Sequence, residues 1–200
     1  MSYICLIGNE YGIVASSDSR ETMGEGKYFD NRQKVFCDKK QGLIWACCGI
    51  TKHLGKDYLR LVEFIMRDSK TTFDQKLDYL EKSICKVTLE AVETLGRKSA
   101  MDILVGKVDK RTMMIRMNFA MGNMDRKVFF SPLALEGGCG KFLCPKMKLS
   151  EYKGLLLPDL KKYAHNRVES VIYKDRELSA NCPSRENSVG GRVLCECIKR

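Results

Sequence analysis

The chain has 200 residues, of which 44% are hydrophobic and 30% are charged. This length and balance are typical of one folded domain covering residues 1–200, and they exclude a chain that is disordered throughout. No window of about 18 uncharged apolar residues occurs, and no basic stretch with an apolar core opens the sequence. We therefore expect a cytoplasmic protein with no membrane span and no secretory signal.

The net charge is +10, because 35 lysines and arginines outnumber 25 aspartates and glutamates. A basic protein raises the question of a nucleic-acid partner, since phosphates bind basic surfaces. Here the basic residues are scattered among acidic ones, and no zinc-finger, RNA-recognition or basic-arm pattern occurs. The charge pattern favours solvated helix faces, and nucleic-acid binding remains the weakest of the alternatives.

The ten cysteines are more than a chain of this length usually carries. Cys5, Cys47 and Cys48 lie inside apolar runs, which is typical of buried free thiols in a reducing compartment. No Cys-x2-Cys pair occurs, and the only histidines, His53 and His165, fall on predicted helices. We therefore expect neither a metal site nor a cofactor.

Apolar periodicity predicts the order of the elements along the chain. Four short β-prone runs come first, at 3–8, 12–16, 34–37 and 42–48. A helical period then predicts a helix starting near residue 51 and a second over 73–95. Strands are expected at 102–108, 113–119, 128–130 and 133–135, a helix over about 158–176, and a last strand at 192–198. Helices grouped between blocks of strands predict antiparallel sheets covered by helical layers.

One group of residues near the start could carry chemistry, although none of the familiar catalytic or phosphate-binding motifs occurs. Ser2 opens the first predicted strand, Asp18 ends the second and Lys34 begins the third. Neighbouring antiparallel strands can bring such side chains to one end of a sheet. Removal of Met1, which a small second residue permits, would give Ser2 a free α-amine. Taken alone, the three residues fit an ordinary second residue, a turn aspartate and a strand-start cation better than a catalytic group.

The surrounding segments resemble a known family. The run 12–24, the Lys34-Val-Phe segment and the Ala46-Cys-Cys-Gly49 segment before a long helix are similar to the proteasome β-subunit and the related bacterial two-component protease subunit. Both are N-terminal-nucleophile hydrolases. The order of the later elements continues the resemblance over most of the chain, most loosely over 137–157. The resemblance implies an α+β fold, a four-layer αββα sandwich.

The resemblance also implies a mechanism. The Ser2 hydroxyl would attack a peptide carbonyl while the α-amine, whose unperturbed pKa is about 7.7–8.0, accepts its proton directly or through water. Lys34 would lower the pKa of that amine, and Asp18 would hold Lys34. Backbone N–H groups near Ala46 and Cys47 would form the oxyanion hole.

The sequence departs from the family pattern at several of these positions. The usual nucleophile is threonine, and Ser2 lacks the methyl group that restricts its side chain. Ala46 stands where glycine is usual, and Cys139 stands where the family has an auxiliary serine. Glu186 and Ser188 lie near the expected Asp-x-x-Ser-Gly-Gly motif. Cys139, Glu186 and Ser188 are therefore expected only as supporting residues.

The function that the resemblance implies is that of a protease subunit acting on peptide or protein substrates in a homo-oligomer, as a ring or a stack, without a cofactor. An ATPase partner is left open. The alternative is a catalytically inactive assembly or scaffold subunit of the same kind. A retained Met1 would favour this alternative, because it would block the α-amine.

Overall fold

The computed structural model describes residues 2–24, 27–95, 100–182 and 189–200. The strands of this part are β1 (Ile4–Asn9), β2 (Gly12–Asp18), β3 (Glu21–Gly24), β4 (Lys27–Phe29), β5 (Val35–Asp38), β6 (Leu43–Gly49), β7 (Lys52–His53), β8 (Lys56–Asp57), β9 (Ala100–Lys107), β10 (Met113–Ala120), β11 (Asn123–Phe130), β12 (Leu133–Gly137) and β13 (Val193–Lys199). The α-helices are α1 (Tyr58–Arg67), α2 (Phe73–Leu95), α3 (Leu149–Tyr152) and α4 (Leu157–Asn181), and a short 3-10 helix covers Cys139–Phe142. Within these ranges, no helix is long and apolar enough to cross a membrane.

Two antiparallel sheets hold most of the strands. The four-stranded sheet has the order β12-β1-β2-β13, and the five-stranded sheet has the order β11-β10-β9-β6-β5. In the first sheet Ile4 pairs with Ser17, so the beginning of β1 lies beside the end of β2. In the second, Val35 pairs with Ala46, which places the beginning of β5 beside the end of β6. The polar segment after β2, for which the sequence predicts no strand, forms a separate ribbon, β3–β4.

The two sheets pack face to face, and β1 is buried on both of its faces. Ile4 and Leu6 point into a cluster shared with the five-stranded sheet, whereas Tyr3, Cys5 and Ile7 point toward α4. Successive side chains of a strand lie on opposite faces, so an apolar run without alternation is what a doubly covered strand requires. A third cluster joins α1 and α2 to the five-stranded sheet.

The first long helix begins later than the sequence predicts. Residues 52–57 form the short β7–β8 ribbon, and α1 starts at Tyr58 after Asp57, whose side chain accepts a hydrogen bond from the Arg60 N–H. An aspartate at this position satisfies a backbone donor that the first helical turn leaves unpaired, which fixes the start. His53, expected on a helix, therefore lies in a strand, where its Nε2 is 2.6 Å from Thr94 Oγ1.

The predicted fold class is wrong. We expected an α+β four-layer αββα sandwich, but the described part of the chain is mostly antiparallel sheet with few helices, thirteen strands against four α-helices. One of those helices has four residues. The structure does not show the N-terminal-nucleophile sandwich. The order of elements predicts antiparallel sheets covered by helical layers, whereas the specific four-layer αββα arrangement was taken from the resemblance.

Candidate active site

The side chains of Ser2, Asp18 and Lys34 meet where the ends of the two sheets come together. Lys34 Nζ donates to Ser2 Oγ at 2.8 Å and lies 3.2 Å from Asp18 Oδ2 and 3.3 Å from Asp18 Oδ1. Ser2 is 8% exposed, Asp18 is fully buried and Lys34 is 1% exposed. The structure therefore brings together the three residues that the sequence predicts as a catalytic group, in a place that bulk water hardly reaches.

The strand pairing explains how Asp18 comes to face this point. The Tyr3 N–H donates to Asp18 Oδ1 at 2.8 Å, and the Asp18 N–H donates to the Tyr3 carbonyl at 3.2 Å. Two further backbone N–H groups, of Arg20 and Gly190, donate to Asp18 Oδ2 at 3.1 and 3.3 Å. Burial raises the pKa of the Asp18 carboxyl above its usual range, and the Lys34 ammonium and these N–H groups oppose that rise.

Lys34 is held as a donor with a fixed direction. Its ammonium group carries three protons, and three acceptors surround it: Ser2 Oγ, the Asp18 carboxylate and the Arg20 carbonyl oxygen. With the other two directions occupied, the third proton points at the Ser2 hydroxyl. An ammonium aimed at an oxygen stabilises negative charge that develops on that oxygen.

The predicted oxyanion donors lie on the neighbouring strand. Ala46 and Cys47 are fully buried in β6. The Cys47 N–H donates to the Lys34 carbonyl at 3.0 Å, so in this state it holds the main chain of Lys34. A role for the Cys47 N–H in an oxyanion hole would require this bond to open. The oxyanion assignment stays a prediction.

A glycine-rich turn after β12 covers the main chain of Ser2. The Gly140 N–H donates to the Ser2 carbonyl at 3.3 Å. Gly138 has a φ of 79°, and a Cβ at this position would lie 2.1 Å from the Ser2 carbonyl oxygen. Its N–H donates to Asp102 Oδ2 at 2.7 Å. Cys139, in the same turn, is exposed.

Asp102 is a residue of this region that sequence reasoning missed. It is 8% exposed, and its other carboxylate oxygen accepts from Asn118 Nδ2 at 2.8 Å. The sequence does give one indication of it: Asp102 is a single carboxylate in the otherwise apolar start of β9, and a buried charge requires partners. Two other predicted residues, Glu186 and Ser188, lie outside the described residues, as does Met1.

Across residues 2–24, 27–95, 100–182 and 189–200, no group of three or more His, Cys, Asp or Glu side chains could hold a metal ion. Cys5, Cys47 and Cys48 are buried free thiols. Burial raises the pKa of each of these thiols.

Comparison with known proteins defines what the fold resembles. No protein-family model matches the chain, and no curated protein matches it. The structure is similar to many solved chains. One of them is Anbu (ancestral beta-subunit) from Yersinia bercovieri, with a TM-score of 0.58 and 15% sequence identity over 98% of this chain and 82% of that one.

These comparisons correct the family assignment made from the sequence. The resemblance to the proteasome β-subunit and the bacterial two-component protease subunit is not supported by any family or curated match, and that recognition is wrong. At 15% identity the likeness to Anbu concerns the fold alone. The chain shares its fold with a protein named as an ancestral beta-subunit.

Proposed function

We propose that the chain is a proteasome-like subunit that hydrolyses peptide or amide bonds, with Ser2 as the nucleophile once Met1 is removed. The observation that carries the proposal is the 2.8 Å hydrogen bond from Lys34 Nζ to Ser2 Oγ, with Asp18 behind the ammonium group. The fold similarity to a protein named as a beta-subunit supports the subunit role. We further propose that residues 1–200 form one domain, which works in a homo-oligomer on peptide or protein substrates.

In the proposed reaction, Ser2 Oγ forms a bond to the substrate carbonyl carbon, and the carbonyl electron pair moves onto its oxygen. The Oγ proton passes to the free α-amine, directly or through water, and then to the leaving nitrogen as the C–N bond breaks. Water then hydrolyses the acyl ester and restores the serine. Throughout these steps Lys34 remains a cation that stabilises charge on Oγ.

Asp18 has a supporting part in this proposal. An unpaired ammonium group is costly to bury, and a carboxylate within 3.2 Å compensates its charge. Because Asp18 also accepts from the Tyr3 N–H, it fixes Lys34 relative to the backbone that carries Ser2. In the proposed mechanism, Asp18 therefore contributes to catalysis indirectly, because it fixes the position of Lys34.

An α′,β′-epoxyketone probe tests this proposal directly, because its ring closure needs a hydroxyl and a free α-amine on the same residue. We expect one covalent adduct on Ser2 in the native protein and none in Ser2→Ala. Ser17→Ala is a matched control, since Ser17 is buried in β2 and its Oγ has no hydrogen-bond partner among the described residues. An adduct that persists in Ser2→Ala, or unlabelled native protein, would contradict the proposal.

The intact mass of natively expressed protein separates the proposal from its alternative. Loss of one methionine residue leaves Ser2 with the amine that the mechanism needs. A full-length mass together with no probe adduct would favour the inactive assembly or scaffold subunit.

A further inference from the structure

Tyr3, the residue after the proposed nucleophile, is tied to two other elements through its side chain. Its hydroxyl donates to Glu136 Oε1 at 2.5 Å. Arg167 Nη2 and Nε donate to the same oxygen at 2.6 and 3.1 Å, and Nε also lies 3.1 Å from the tyrosine hydroxyl. Tyr3 precedes β1, Glu136 is in β12 and Arg167 is in α4, so one cluster links three parts of the fold.

The cluster is largely shielded from solvent. Tyr3 is fully buried, and the side chains of Arg167 and Glu136 are 11% and 13% exposed. Burial raises the pKa of the Tyr3 phenol further above neutral pH, in keeping with its role as a hydrogen-bond donor. Charge-assisted hydrogen bonds at such distances are stronger than neutral ones, and the planar arginine fork fixes their direction.

The position of the cluster gives it a specific consequence for Ser2. The backbone of Tyr3 is bonded on one side to Asp18, in both directions, while its side chain is bonded on the other side to Glu136 and Arg167. Terminal residues fray unless they are tied down, and Ser2 lies before the first paired residue of β1. The tie that holds Tyr3 therefore limits how far Ser2 Oγ can move from Lys34 Nζ.

We propose that Tyr3, Glu136 and Arg167 form an anchor that holds Ser2 in register with Lys34. They are positioning residues, since none of them touches the proposed reacting atoms. The catalytic part of this inference rests on the proposed function, whereas the anchoring part can be measured without it.

Three variants remove the anchor in different ways: Tyr3→Phe keeps the ring, Glu136→Gln removes the charge, and Arg167→Lys keeps the charge but loses the fork. Tyr163→Phe is the matched control, because it removes a solvent-exposed 2.7 Å phenol–carboxylate hydrogen bond to Glu151 from a partly buried tyrosine of α4. The first readout is epoxyketone labelling at several probe concentrations. We expect the maximal rate of labelling to fall roughly 10- to 100-fold with unchanged probe affinity, because a small displacement of a reacting atom slows the reaction without weakening binding.

The second readout needs no catalysis. Cys5 is buried in the same cluster as Tyr3, whereas Cys47 is buried in the cluster formed with α1 and α2. Pulse alkylation followed by peptide mass spectrometry gives the rate at which each thiol becomes accessible. Loss of the anchor should raise the alkylation rate of Cys5 at least about tenfold and leave that of Cys47 unchanged, because local opening exposes only its own part of the fold.

The outcomes are distinct. Slower labelling at constant affinity, with selective exposure of Cys5, supports the anchor. Unchanged labelling and unchanged Cys5 alkylation overturn it, and so does an equal rise at Cys5 and Cys47, which reports general destabilisation. If the native protein is not labelled at all, the proposed function fails, and the ratio of Cys5 to Cys47 alkylation alone decides whether the anchor exists.

Discussion

The buried ion pair between Lys34 and Asp18 makes a quantitative prediction about stability. We consider Asp18→Asn and Lys34→Met, separately and together. Asparagine keeps an oxygen that can accept from the Tyr3 N–H, and methionine keeps most of the apolar stem of lysine. The two substitutions therefore remove the charges with little change of shape.

The expected magnitudes follow from the geometry. In Asp18→Asn the Lys34 ammonium remains buried among neutral acceptors, and breaking a buried pair in this way costs about 3–5 kcal/mol of unfolding free energy. Lys34→Met leaves the carboxylate without its cation, at a cost of the same order. The double variant buries no uncompensated charge. We therefore expect its cost to be smaller than the sum of the single costs by about 1–3 kcal/mol.

Urea unfolding at pH 7 and at one fixed protein concentration measures these values, because association changes apparent stability. The exposed pair of Lys174 and Glu177, 2.8 Å apart, provides the control cycle. Its coupling should be much smaller than that of the buried pair, because water screens exposed charges. If the two substitutions at the buried pair are additive within about 0.5 kcal/mol, the charges do not compensate each other and our account of the site is refuted.

The pH dependence of Lys34→Met gives a second check of the same pair. Burial raises the pKa of Asp18 above the model-compound value of 3.8, and loss of the lysine removes the cation that opposes this rise. A carboxyl whose pKa is higher in the folded than in the unfolded state stabilises the fold as it becomes protonated. Relative to Asp18→Asn/Lys34→Met, in which position 18 does not titrate, the unfolding free energy of Lys34→Met should therefore increase as pH falls from 7 through the folded pKa toward 3.8.

Three other predictions test the packing of the helices, a carboxylate in the segment before Lys34, and the turn that covers Ser2. Lys76→Met should lower the unfolding free energy, measured in urea, by about 1–3 kcal/mol, because the buried Lys76 ammonium donates to three carbonyls at the end of α1. Lys82→Met, at an exposed position of α2, is the control and should change the unfolding free energy little. Arg20 Nε and Nη2 donate to the Asp30 carboxylate at 2.7 and 2.8 Å, and these bonds lower the pKa of Asp30. The stabilising contribution of Asp30 is therefore present above pH 3.8 and is lost as pH falls through the folded pKa, so Asp30→Asn should reduce the loss of melting temperature at acid pH. Gly138→Ala should cost about 1–3 kcal/mol in urea unfolding, because its φ of 79° and its approach to the Ser2 carbonyl leave no room for a Cβ.

The sequence predicted elements well where burial imposes a simple period. The second long helix was predicted over 73–95 and is observed as Phe73–Leu95, and the doubly covered strands β1 and β6 lie within one or two residues of their apolar runs. The ribbons β3–β4 and β7–β8 were missed, because short polar strands carry no apolar alternation.

The candidate site could be predicted only in part. Ser2, Asp18 and Lys34 were identified from their places at strand ends together with the family resemblance, and the expectation that one sheet brings them together was wrong, because Lys34 precedes β5 in the five-stranded sheet. The side-chain contacts of Tyr3 could not be found in this way, because Glu136 and Arg167 are more than a hundred residues away along the chain. Such contacts depend on how the sheets and α4 pack, which periodicity leaves undetermined.

The partners of Asp18 also have a consequence for the time at which the site can form. The Gly190 N–H reaches the Asp18 carboxylate across 172 positions of the chain, and β13 pairs with β2 along its length. During synthesis β1, β2 and β5 leave the ribosome long before this last strand. Pairing between distant segments is slow, because loop closure must come first. A nascent chain therefore has its serine and its lysine early but completes the surroundings of Asp18 only after nearly every other element has been made.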